Sequence, residues 1–269
     1  MELQQIGGQH PKIKQVLAIA RNTAPNPGKM IIAEGLWAHN LLLEHDVFIN
    51  TFLWCPEAAY GDEARKRAVE VASRAHLAYQ VSAKTLERIS ERDKPDGLFS
   101  IAQLPRWEPG DVRLGASSLI MVADGMEIPG NLGTLIRTLD AAGAACLMLT
   151  NRRTRLTHPK VFRASQGMVL KTPVLDFERV DDAIAWLRSY DVNVYLADTD
   201  GAKNYRSFDY SGTPTAFVLG SERYGIPKPW YAAGYERVFI PMLGATDSLN
   251  VSISAAVFLF EARAQKNHW

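Results

Sequence analysis

Two cysteines in 269 residues, Cys55 and Cys146, are too few to staple a chain of this length, so a disulfide scaffold is excluded. Cys146 sits in an apolar run and reads as a buried free thiol, which fits a reducing compartment. No apolar run is long enough to span a bilayer and no secretory segment opens the chain, so a cytoplasmic location is expected. The histidines do not cluster, and no Cys or His spacing suggests a metal site, so no metal is expected. No Gly-x-Gly-x-x-Gly follows a strand-like run, which argues against a nucleotide-dependent oxidoreductase. An excess of either charge is also missing: 30 basic and 29 acidic side chains leave a net charge of +1. Any contact with a polyanion therefore has to come from a local patch. What is present is core material, with 47% hydrophobic and 22% charged residues, the profile of a globular protein of one or two domains.

Residues 104–114 carry Pro105, Pro109 and Gly110 between two apolar runs and read as a linker. Before them, residues 1–103 alternate helix-like charged segments (11–21, 62–74, 84–91) with short apolar runs (30–33, 51–55, 98–102), a small α/β domain. In residues 115–269 the alternation is clearer. Strands are expected at 118–123, 146–149, 192–197, 215–219 and 237–240, and helices from Asn131 to a C-cap at Gly143, then over 160–167, 180–190 and 248–265. Alternating β and α elements predict a Rossmann-like parallel sheet covered by helices. There is no internal repeat and no low-complexity segment.

Three junctions stand out, each where a strand gives way to a loop and a helix start, the place where an α/β protein offers backbone groups to a ligand. They are residues 131–138 (Asn-Leu-Gly-Thr-Leu-Ile-Arg-Thr), 219–227 (Leu-Gly-Ser-Glu-Arg-Tyr-Gly-Ile-Pro) and 240–252 (Ile-Pro-Met-Leu-Gly-Ala-Thr-Asp-Ser-Leu-Asn-Val-Ser). Taken singly each has an ordinary explanation. Asn131, Asp247, Ser248 and Asn250 suit helix caps, Glu222 a solvated turn, and Arg137 the polar side of an amphipathic helix. Together and in this order they resemble the three motifs of the SpoU/TrmH family of RNA ribose 2′-O-methyltransferases, within the SPOUT superfamily.

That resemblance implies a deep trefoil knot in the C-terminal sheet, S-adenosylmethionine as cofactor, a homodimer, and an RNA substrate, 23S rRNA above all, with transfer RNA as the nearest alternative. Antibiotic-resistance enzymes are among the relatives it brings in. It further implies that Arg137 acts on the 2′-hydroxyl, either as a base with depressed proton affinity or as an orienting group. Asn131 and Glu222 support it, with Ser248 and Asn250 as the polar pair beside it, while Leu219, Gly220, Ile240, Met242 and Leu249 surround the adenosine. The first hundred residues resemble, through residues 10–14, 30–35 and 96–101, an L30-like substrate-binding domain. An RNA-binding module without catalysis is the competing reading, and the intact Arg137, Glu222, Ser248 and Asn250 weigh against it.

From Ala141 to Leu175 there is no Asp or Glu, yet Arg152, Arg153, Arg155, Lys160, Arg163 and Lys171 fall there. A basic stripe with no acidic partner in its own segment predicts phosphate binding. Arg163-Ala164-Ser165 also resembles the family's Arg-Ala-Ser segment, which marks Arg163 and Ser165 for RNA placement.

Overall fold

The computed structural model describes residues 2–22, 24–200 and 203–269. The chain forms two compact units: Met1–Pro105 with Thr157–Arg163, and Arg106–Leu156 with Ala164–Trp269. Residues 157–163, expected in the second domain, thus cluster with the first unit.

In the first unit the strands β1 (Met30–Glu34), β2 (Ile49–Trp54), β3 (Leu77–Gln80) and β4 (Leu98–Gln103) form a sheet in the order β1-β4-β2-β3. β4 runs antiparallel to β1 and β2, and β3 parallel to β2. The helices are α1 (Pro11–Ala20), α2 (Leu36–Glu44), α3 (Gly61–Arg74) and α4 (Ala83–Ile89). α1 starts where it does because Pro11 presets the first turn and His10 Nδ1 accepts from the Lys12 N–H. Ile13, Val16, Leu53, Phe99 and Ile101 pack in one core cluster. α2 was not anticipated: it follows β1 after Gly35 alone, with no side-chain cap to announce it.

His39 on α2 is fully buried. The Gly35 carbonyl, 2.8 Å from Nδ1, can only accept, so Nδ1 carries the proton and Nε2 accepts from Ser100 Oγ at 2.8 Å. Burial pushes its pKa from 6.5 down to about 4. The folded state therefore holds the neutral ring, and its contribution is intact above pH 6.5 and lost as pH falls toward 4. Lowering pH from 7 to 5 is expected to remove about 2 kcal/mol from the first unit. Thermal unfolding at the two pH values, with an NMR titration of the His39 ring, checks this; a ring titrating near 6.5 overturns it.

The second unit is built on β5 (Leu119–Asp124), β6 (Cys146–Thr150), β7 (Val174–Phe177), β8 (Asn193–Ala197), β9 (Lys203–Asn204), β10 (Thr215–Leu219) and β11 (Glu236–Phe239). Their order is β7-β6-β5-β10-β8-β11-β9, and every pairing is parallel. Its helices are α5 (Pro129–Ala141), α7 (Val180–Ser189), α8 (Lys228–Ala232) and α9 (Val251–Asn267), while α6 (Pro159–Ala164) lies, except for Ala164, in the first unit's segment. β5, β6 and β10 are buried along their whole length, as strands covered on both faces must be. The chain runs outward from β5 through β6 to β7, then crosses to the other side of β5, where it lays down β8 and later inserts β10 between β8 and β5. The order thus switches between β5 and β10, which opens a crevice at the strands' carboxyl ends. α5 ends as predicted, with Gly143 left-handed (φ +61°) just past Ala142.

Behind the crevice the buried Asp124, at the end of β5, accepts from Thr150 Oγ1 (2.7 Å), Asn151 Nδ2 (3.0 Å) and the indole Nε1 of the fully buried Trp230 (3.0 Å). One carboxylate thus joins the ends of β5 and β6 to α8. Cys55 and Cys146 are both buried free thiols, with burial pushing Cys146 up to about 12. Among the described residues no helix is long and apolar enough to cross a membrane, and no three metal-ligating side chains cluster.

Candidate active site

The loop after β10 is closed on itself. Ser221 and Gly225 exchange backbone hydrogen bonds of 3.1 and 2.9 Å, and the Tyr224 N–H donates to Ser221 Oγ at 3.0 Å. Gly225 is left-handed (φ +67°), and a Cβ on Gly220 would lie 2.0 Å from the Gly225 carbonyl carbon. Both glycines are therefore dictated by the turn, and Glu222, Arg223 and Tyr224 stand at its exposed tip.

Asn131 is where the three junctions meet. Asn131 Nδ2 donates to Glu222 Oε1, and Asn250 Nδ2 donates to Asn131 Oδ1 at 3.3 Å. The orientation of each amide is set by the chemistry of its neighbour. A carboxylate only accepts, so Asn131 turns its NH2 to Glu222 and its oxygen to Asn250. Asn250 then has its own oxygen left for α9, where it accepts from the Ser252 N–H (3.0 Å) and Ser252 Oγ (2.6 Å). These contacts correct two expectations. Asn131 does not cap α5, which begins at Pro129 and places Asn131 inside its first turn. Nor is α9 opened by Asp247 and Ser248; Asn250 is its N-cap.

A cavity of about 340 Å³ lies at the carboxyl ends of β8, β10 and β11. Leu219, Gly220, Ile240, Met242 and Leu249 all line it, and Glu222 and Ser248 stand on its wall. Its size, and a lining divided between apolar side chains and polar groups at the strand ends, fit the adenosine portion of S-adenosylmethionine. Asp198 and Tyr231, which sequence reading missed, also line it. Burial alone would raise the Asp198 pKa, but the Tyr231 hydroxyl (2.8 Å), the Asp200 amide and Arg237 (Nε at 3.0 Å) outweigh it and hold the carboxyl below its ordinary value. Burial, and then the bond to Asp198, push Tyr231 up to about 12.

Arg137 is not part of this hydrogen-bonded set. It lies six residues beyond Asn131 on α5, about 9 Å along the axis. It is exposed, and its guanidinium makes no hydrogen bond or ion pair within the described residues.

The basic stripe is less bare than its own segment suggests. Arg152 pairs with Asp176 (2.8 Å), Arg153 with Glu127 (2.7 Å), Lys171 with Asp140 (3.0 Å) and Arg163 with Glu91. The acidic partners come from outside residues 141–175, so their absence from the segment does not leave its cations unmatched. These pairs are largely exposed, where an ion pair contributes little to stability. Arg155 is exposed, while Ser165 is fully buried and presents no hydroxyl at the surface.

Residues 118–260 match the model of the SpoU rRNA Methylase family. The chain is 31% identical over 188 residues, 70% of its length, to a 23S rRNA (adenosine(1067)-2′-O)-methyltransferase of Streptomyces laurentii, covering 69% of that protein. It is 26% identical to an uncharacterized tRNA/rRNA methyltransferase of Synechocystis sp., over 96% of this chain and 92% of that one. In structure it resembles an AdoMet-bound rRNA methyltransferase from Sinorhizobium meliloti with a TM-score of 0.86 at 28% identity, over 97% of both chains.

Proposed function

From the chain's membership of the SpoU rRNA Methylase family, we propose that this protein is an S-adenosylmethionine-dependent RNA ribose 2′-O-methyltransferase acting on 23S rRNA in the cytoplasm. The observation that carries the reading is the hydrogen-bonded chain Glu222–Asn131–Asn250, which draws the three junctions together beside the cavity. S-adenosylmethionine supplies a methyl group on a sulfonium. Leu219, Ile240, Met242 and Leu249 would hold its adenosine, and Gly220 lets the Ser221–Gly225 loop close beside it.

The ribose oxygen forms its bond to the methyl carbon as the carbon–sulfur bond breaks, and the hydroxyl proton leaves to water. An arginine keeps its proton under ordinary conditions, so Arg137 orients the hydroxyl and stabilises the developing alkoxide. Most of the acceleration is then positioning and electrostatics. Ser248 and Asn250 shape the floor on which the ribose sits.

Three further elements belong to the proposal. The chain returns from β11, through residues 240–250, to pack α9 on α5, β5 and β10, which supports the trefoil knot. Ile253 and Phe260, seven residues apart on α9, are 51% and 43% exposed, an apolar stripe that supports a homodimer. The first unit, with its own sheet and core, is assigned as an L30-like reader of the RNA; Arg163 of that unit, and Arg152, Arg153 and Arg155 of the second, are assigned as phosphate contacts. A transfer RNA substrate is the second reading, favoured by the name of the Synechocystis relative.

Calorimetric titration with S-adenosylmethionine and with NAD, then mapping of 2′-O-methylation in total RNA with and without the protein, tests the assignment. Binding of NAD alone, or no new methyl mark, refutes it. Within the same assays Gly220→Ala is expected to weaken S-adenosylmethionine binding about tenfold or more, because the new Cβ forces the Ser221–Gly225 loop open. Undiminished affinity removes the loop from the cofactor site.

A further inference from the structure

Tyr224 has no place in the arrangement described above, yet it is the most conspicuous side chain on the loop that carries Glu222. It is 63% exposed, and the guanidinium carbons of Arg153 and Arg223 lie 5.5 and 5.2 Å from its ring centroid. A tyrosine with a bare ring at a loop tip gains little from folding, so the loop's investment in holding it still points elsewhere. Its backbone is fixed by the Ser221–Gly225 closure and by Ser221 Oγ. Arg153 is fixed by Glu127, whose carbonyl in turn accepts from Thr154 Oγ1. Loops from three strand ends, β5, β6 and β10, thus converge on one aromatic ring. Beside it, a cleft of about 200 Å³ is bordered by Met126, Ile128, Glu222 and Arg223.

We propose that Tyr224, with Arg153 and Arg223, is a stacking platform for an unpaired base next to the methylated nucleotide. The proposal rests on the methyltransferase reading and narrows its substrate to RNA that is looped or single-stranded at the target. An exposed ring edged by guanidinium groups is the combination that binds a base by its π-face and the adjoining phosphates by charge. Tyr224 lies two positions beyond Glu222, a reach of at most about 7 Å. A base on the platform therefore belongs to a neighbour of the nucleotide at the catalytic centre. Bases inside an A-form duplex offer no free face, which makes an unpaired strand the matching partner.

The test uses the full-length protein and a short oligoadenylate RNA carrying one central 2-aminopurine, as a single strand and annealed to its complement. The single strand is expected to bind more tightly than the duplex and to be quenched on binding. Tyr224→Ala is expected to lose the quench and bind about 5- to 100-fold more weakly, the effect of removing one base–aromatic stack. Its dependence of affinity on salt should match the parent's, since no charge is lost, whereas Arg153→Gln should flatten that dependence. Tyr224→Phe is expected to restore both quench and affinity. S-adenosylmethionine affinity, unchanged in all three variants, certifies their fold. Parental affinity in Tyr224→Ala, failure of Tyr224→Phe to restore, or a parent that prefers duplex overturns the platform. A parent that binds S-adenosylmethionine but never quenches the probe also overturns it while leaving the methyltransferase assignment standing. A parent that binds no S-adenosylmethionine removes the assignment itself.

Discussion

Arg137→Ala is expected to lower the single-turnover rate of methyl transfer by at least about a hundredfold, the scale of losing one preorganised group that stabilises transition-state charge. S-adenosylmethionine affinity should stay within a few fold, because Arg137 does not line the cavity at the ends of β8, β10 and β11. Stability should barely move either, since the exposed guanidinium has no partner within the described residues to lose. Arg137→Lys separates charge from shape: it keeps the cation but not the planar fork, and is expected to recover only part of the loss. The measurements are rapid-quench transfer from labelled S-adenosylmethionine to the mapped RNA, alongside calorimetry. Near-parental turnover of Arg137→Ala would take this residue out of the reaction.

The isolation of Arg137 in the structure also shows where sequence reasoning works and where it stops. β10 was legible to the residue, because an apolar run bounded by Pro214 and Gly220 has one way to lie in a parallel sheet. α9 begins three residues after its expected start, since Asp247, Ser248 and Asn250 are all competent caps and local chemistry does not rank them. The choice is made by tertiary structure: Asn250 is the one whose NH2 reaches Asn131, 119 positions away. α2 is not legible in the sequence because an apolar helix behind a lone glycine carries neither cap nor clear period, and β9 is not because two residues make no pattern. The basic stripe misled for the same reason in reverse. Its counter-charges, Glu91, Glu127, Asp140 and Asp176, are supplied by other segments in three dimensions. The convergence of the three junctions followed from family resemblance, not from spacing. No periodicity links Asn131 to a glutamate 91 residues away.

That convergence is open to a sharper test than deletion, because the network has a direction. Asn131→Asp removes the NH2 that Glu222 accepts from and sets two carboxylates side by side. Like charges disfavour joint ionisation, so the pair's upper pKa rises above the ordinary carboxylate range. At pH 8 both groups are charged, Asn131→Asp repels the Glu222 loop, and transfer is expected to fall about 10- to 100-fold relative to the parent. As pH drops through the raised pKa one proton is shared, a hydrogen bond is regained, and the deficit should shrink toward pH 5.5. Glu222→Gln alone behaves differently. The new amide can offer its oxygen to Asn131 Nδ2, so the geometry survives and any loss measures the charge of Glu222 itself. Combining the two changes reverses the sense of the first link. The amide at 222 donates to the carboxylate at 131, which still accepts from Asn250 Nδ2. The double variant should therefore recover most of the activity lost in Asn131→Asp and lose the acid rescue. Rate against pH for the parent, both single variants and the double forms a complete cycle. If Asn131→Asp is no worse at pH 8 than at pH 5.5, or the double variant is merely the product of the singles, the hydrogen-bonded chain is incidental to transfer.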